Sequence, residues 1–128
     1  MGETLFVLYV RDQAAATRFY ASVLEAEPVL DVPGMTQFAL PGCLLGLMPE
    51  DGIKRILGSR LPDPVRGTGI PRAEVYLVVD DPAGHYARAL AAGATGVSPL
   101  LRRDWGDDAA YSMDPDGHVL AFARKSNG

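Results

Sequence analysis

The sequence predicts an α+β fold made of two copies of one βαβββ module. Three observations carry that reading. Ala73 to Leu90 (AEVYLVVDDPAGHYARAL) reads as a buried strand running into a helix, and Thr4 to Leu24 (TLFVLYVRDQAAATRFYASVL) repeats the same order. The repeat reaches individual residues, since Tyr20-Ala21-x-x-Leu24 is matched by Tyr86-Ala87-x-x-Leu90. Each copy is then followed by three short apolar runs separated by Gly- and Pro-containing turns, the punctuation of hairpin-linked strands. The two copies differ most at Glu74, a carboxylate where the first copy has Leu5.

Leu5–Val10 is apolar on both faces, as expected of a strand covered on two sides. Asp12 is placed to cap a helix that runs to about Glu25, with Ala15, Phe19 and Val23 on one stripe. Pro28 ends it. Val29–Val32, Thr36–Leu40 and Cys43–Met48 follow as strands, turned by Pro33-Gly34 and Pro41-Gly42. Residues 50–72 break the pattern; Ile53–Leu57 is expected to form a short amphipathic turn and the rest a connector. The second copy opens with strand Glu74–Val79. Its helix is capped by Asp81, with Pro82 in the first turn where no N–H is needed, and Gly93 closes it. Strands are expected at Val97–Leu101, Ala109–Met113 and His118–Arg124, the last two joined by the Asp114-Pro-Asp-Gly117 turn. Module one is thus about 3–49, the connector 50–72 and module two about 73–125, within a single domain spanning 1–128.

Composition narrows the function. A chain of 128 residues, 48% hydrophobic and 22% charged, is an ordinary globular domain. The formal net charge of −4 gives no electrostatic basis for binding nucleic acid. Cys43 is the only cysteine, so no intramolecular disulfide forms, and the first apolar run is too short for a secretory signal or a membrane span. A cytoplasmic protein with no membrane partner is expected.

VRDQAAATRFYASVL, AEVYLVVDDPAGHYARALAAGA, the Trp105-Gly106 pair and DPDGH before an alternating strand together resemble the vicinal oxygen chelate superfamily of glyoxalases, bleomycin-resistance proteins and extradiol dioxygenases. The likeness covers nearly all of the chain outside the connector. It implies cupped mixed sheets around a groove, and a homodimer with modules paired within or between chains. Metal-binding members place His or Glu on four strands, at positions that correspond here to Leu5, Gly46, Glu74 and Ala121. Only Glu74 among these is a ligand type. The resemblance is therefore to the metal-free, bleomycin-resistance-like branch.

Side-chain alternation fills in the faces. Leu5, Val7 and Tyr9, Leu44, Gly46 and Met48, Glu74, Tyr76 and Val78, and Val119, Ala121 and Ala123 are expected to point inward, with Leu120 and Phe122 against a helix. One carboxylate does not hold a divalent ion that wants three or four donors, so no metal, other cofactor or catalytic residue is expected. His85 and His118 are read as solvent-facing, and Cys43 as a small packing residue. Candidate ligand-binding residues are Trp105, Tyr9, Tyr76, Glu74, Met48, Val7, Phe38 and Tyr111. Trp105 leads, being a large aromatic in a charged loop with no packing role evident. Gly46 and Ala121 are expected to leave the floor open, and Glu74 to receive a ligand N–H, to pair with a cationic ligand group, or to pair with an arginine such as Arg72. The leading expectation is a homodimeric protein that sequesters a small aromatic antibiotic or related natural product. The alternatives are a glyoxalase- or dioxygenase-like enzyme with a remodelled site and Glu74 as general base, and a structural protein with a vestigial groove.

Overall fold

Apolar residues at strand spacing build β1 (Leu5–Val10), and the Asp12 carboxylate then starts α1 (Gln13–Leu24) by accepting the Ala15 N–H at 2.9 Å. β2 (Leu30–Val32), β3 (Met35–Leu40) and β4 (Cys43–Pro49) follow, then α2 (Glu50–Leu57) and a single 3-10 turn at Pro64–Arg66. β5 (Glu74–Val78), α3 (Pro82–Ala91), β6 (Thr95–Arg102), β7 (Asp107–Met113) and β8 (Val119–Lys125) repeat the order. This computed structural model describes residues 2–67 and 69–127. The chain divides into two compact units, Met1–Thr68 and Gly69–Gly128, with α2 in the first.

Each unit carries one four-stranded sheet, ordered β1-β4-β3-β2 in the first and β5-β8-β7-β6 in the second. In both, the strand that precedes the helix pairs in parallel with the last strand, and the remaining pairs are antiparallel. The registers are equivalent as well. Val7 lies beside Gly46 as Tyr76 lies beside Ala121, and Leu5 beside Leu44 as Glu74 beside Val119. The repeat predicted from sequence thus extends to single positions.

Each sheet has one helix-covered face. In the first unit, Thr17 of α1 donates to Thr36 Oγ1 at 2.9 Å, and Thr36 pairs with Leu47. Thr36, Phe38, Leu45 and Leu47 are all buried, opposite the buried Ala16, Phe19, Tyr20 and Val23 of α1. In the second unit the His85 ring of α3 lies 5.9 Å from the Phe122 ring, and Leu120 and Phe122 are fully buried, as alternation predicts. Burial of each such side chain contributes about 1.5–3 kcal/mol. The α3 C-terminus closes as expected at Gly93 (φ +115°), with Ala94 N–H donating to Ala89 O and Gly93 N–H to Leu90 O. That pair of bonds satisfies carbonyls the helix leaves open.

The structure corrects several expectations. The turn at Ile53–Leu57 is a full helix from Glu50, favoured by Glu50 and Asp51 in its first turn and Lys54 and Arg55 in its last. On α1 the buried stripe takes Ala16 and Tyr20 rather than Ala15, which is exposed. β6 starts two residues earlier than predicted; it is an edge strand with register shifts around Ser98, which accommodates Pro99. Neither histidine simply faces solvent. His85 Nδ1 sits 3.0 Å from Asp81 O with its ring on Phe122, and His118 Nδ1 sits 2.8 Å from Asp114 Oδ2. Asp114 is buried and also accepts the Asp116 and His118 N–H groups, so it organises the β7–β8 turn.

Candidate functional site

The open face of the second sheet, opposite α3, collects most of the chemistry. Reading across paired positions, Tyr76, Ala121 and Tyr111 form one row, with Ala121 fully buried between the two tyrosine positions. Glu74 and Val119 form the next row towards one end, and Asp107 lies on the same face towards the other. Trp105 projects from the tight β6–β7 turn, where Gly106 N–H donates to Arg103 O and Gly106 adopts φ +95°, a conformation that favours glycine.

A hydrogen-bond chain ties these groups together. Trp105 Nε1–H donates to Tyr76 Oη at 2.9 Å, and Tyr76 Oη–H donates to Asp107 Oδ2 at 2.6 Å. The indole is therefore held at its edge while 57% of the residue stays exposed. Arg103 braces the same turn. Its Nη2 donates to Ala109 O, Ser98 Oγ and Pro99 O and its Nε to Ala109 O, while the guanidinium lies 5.2 Å from the Tyr111 ring centre. Burial, and then the need to keep donating to Asp107, raise the Tyr76 hydroxyl above the ordinary tyrosine value despite an opposing effect of Trp105. Burial and then the Glu74 charge raise Tyr111, against the Arg103 charge. Both phenols are accordingly hydrogen-bonding and stacking groups at neutral pH, not bases.

The candidate residues sort cleanly. Trp105, Tyr76, Tyr111 and Glu74 share this face. Tyr9, Val7 and Met48 share the open face of the first sheet, with Leu5 and Gly46. Phe38 is a correction: it is fully buried on the α1 side, because its strand position pairs with Leu45 and not with Gly46. The floor is open neither at Ala121, which is fully buried, nor at Gly46. A Cβ there would meet Met35 Sδ at 3.1 Å, Leu5 Cδ1 at 3.2 Å and Val7 Cγ2 at 3.4 Å, so neighbours already fill the space. Glu74 makes no ion pair with Arg72 or another described residue and is solvent-exposed. Asp107 and Arg103 were missed. Asp107 has the same strand parity as Tyr111, and starting β7 two residues earlier would have found it.

Residues 4–122 match the profile of the Glyoxalase/Bleomycin resistance protein/Dioxygenase superfamily. The chain belongs to this superfamily. An uncharacterized protein of Mycobacterium bovis is 32% identical over 115 residues, covering 87% of this chain and 75% of its own length. An uncharacterized protein of Mycobacterium tuberculosis is equally similar, with 67% of its length covered. Among solved structures, a glyoxalase-related enzyme from Fulvimarina pelagi superimposes with a TM-score of 0.82 at 23% identity, covering 97% of this chain and 88% of that one. A glyoxalase/bleomycin resistance protein/dioxygenase family enzyme from Burkholderia phytofirmans does so with a TM-score of 0.83 at 16% identity, covering 96% and 98%. These likenesses establish the glyoxalase fold.

The superfamily's metal chemistry finds a poor donor set here. Leu5, Gly46 and Ala121 have no ligating atoms in their side chains, and the described residues hold no group of three His, Cys, Asp or Glu side chains able to hold an ion. These residues do not fit a resident metal. No described helix is long and apolar enough to cross a membrane. A shallow cleft in the first unit, lined by Asp12, Gln13, Thr17, Arg18 and Asp31, has Gln13, Thr17 and Asp31 bonded into a network around Thr36.

Proposed function

We propose that this superfamily member is a metal-free binding protein that sequesters a planar aromatic compound, of the antibiotic or natural-product kind, on the open face of its second sheet. The carrying observation is Trp105, an exposed indole whose N–H is already held by Tyr76 Oη, itself anchored on Asp107. A ring fixed at its edge loses little further freedom when a ligand stacks on it, which favours binding over an unrestrained side chain. Tyr111 lies in the same row as Tyr76, while Tyr9, Val7 and Met48 give the first unit an apolar face of its own. Such a protein acts by holding its ligand, so affinity and copy number set the protection it gives.

The test is Trp105→Ala. Stacking of a base on an aromatic side chain is worth about 1–3 kcal/mol, so the substitution should weaken aromatic binding roughly tenfold or more. Trp105 is the only tryptophan, and saturable quenching of its emission by bleomycin-, quinoline- or quinone-containing compounds reads binding directly. Calorimetry then compares wild type and variant. Equal affinity in the two, or turnover of a bound compound together with stoichiometric metal retained through purification, overturns the proposal.

A further inference from the structure

From the same face we infer a ligand class: the open face of the second sheet selects planar organic cations over neutral or anionic rings of the same shape. This rests on the aromatic-binding reading above and deepens it. Three observations point the same way. Glu74 is an exposed carboxylate with no ion pair among the described residues, one row from the tyrosines. The exposed Trp105 and the half-buried Tyr76 supply ring faces, whose negative quadrupoles attract a cation, while the Tyr111 ring already has the Arg103 guanidinium 5.2 Å from its centre. The positive groups Arg103 and Lys125 lie towards the Asp107 end of the face. Arg103 spends its Nε and Nη2 donors on Ala109 O, Ser98 Oγ and Pro99 O, and Lys125 sits opposite Asp107 at the far end of the face from Glu74. A ring seated on Trp105 and Tyr76 places a charged nitrogen towards the Glu74 end.

The experiment uses the full chain and three probes of matched shape: N-methylquinolinium, quinoline and quinoline-2-carboxylate, titrated calorimetrically at neutral pH. The cation should bind about tenfold or more tightly than the other two, a preference that shrinks with added salt. Glu74→Gln should remove most of that preference while leaving quinoline affinity and thermal stability unchanged, since Glu74 is exposed and makes no ion pair. Equal binding of all three probes, or a preference for the carboxylate, overturns the charge inference and leaves the aromatic-binding reading standing. Failure of all three to bind, with Trp105 emission unmoved, overturns both.

Discussion

Tyr76→Phe removes one oxygen atom and tests whether the Trp105–Tyr76–Asp107 chain is a structural unit. The substitution deletes the donor to Asp107 Oδ2 at 2.6 Å and the acceptor for Trp105 Nε1 at 2.9 Å while keeping the ring. A hydrogen bond contributes about 0.5–1.5 kcal/mol net, and one to a charged group about 1.5–3. Tyr76 is only half-buried, so water can replace part of both, and the low end applies: a total loss of about 1–2 kcal/mol. For a chain of this length that is a fall of roughly 3–8 °C in Tm. The more specific readout is the indole. With its N–H released, Trp105 should show lower fluorescence anisotropy, and no other tryptophan masks the signal. Ligand affinity should fall as well, because the ring must then be ordered on binding. If Tyr76→Phe matches wild type in urea midpoint and in Trp105 anisotropy, the chain does not hold the indole and the preorganisation argument fails.

Alkaline pH probes the same phenols. A group whose folded pKa is raised binds its proton more tightly when folded, so its stabilising contribution is full below the unfolded value of 10.0 and is lost as pH rises through the folded one. Urea midpoints should therefore drop above pH 10.0, and less steeply for Tyr76→Phe, with a slope equal to wild type counting against the assignment. Gly46→Ala should destabilise the first unit by about 1–3 kcal/mol through overpacking, at the low end because the Met35 tip can move; an unchanged melting temperature would show the space to be free. The exposed Leu5, Tyr9, Leu30 and Val32 on the open face of the first sheet lead us to expect a homodimer at micromolar concentration in sedimentation velocity, and a strictly monomeric species would refute it.

The duplicated module was legible because its signals are local: Asp caps, Pro in a first helical turn, Gly after a last one, and alternation along strands. The Asp12 and Asp81 caps, the Gly93 closure and the inward set on β8 all followed from such rules. What sequence hid was tertiary. Phe38 lies on the helix side because β3 pairs it with Leu45, a register that the aromatic residue type alone does not disclose. Gly46 looked like open floor because a missing side chain in the sequence says nothing about the Met35 thioether that leans over it. Asp107 read as loop polarity, and only the long reach of a tyrosine from β5 turns it into a partner. Trp105 seemed to lack any structural role, yet its N–H is bonded 29 positions away in the chain.

The parallel pairing that closes each sheet also governs how the chain acquires its structure. Leu5 must find Leu44, and Glu74 must find Val119, across roughly 40 intervening residues, whereas the β3–β4 and β7–β8 hairpins form between near neighbours. Hairpins and helices are therefore expected to assemble early, with the docking of β1 and β5 the late, entropically demanding event in each unit. Tyr76 and Glu74 ride on β5. The aromatic face is thus completed only by the last strand to arrive, and a folding intermediate lacking it would leave Trp105 without its Tyr76 partner, giving refolding kinetics a built-in fluorescent reporter of that final step.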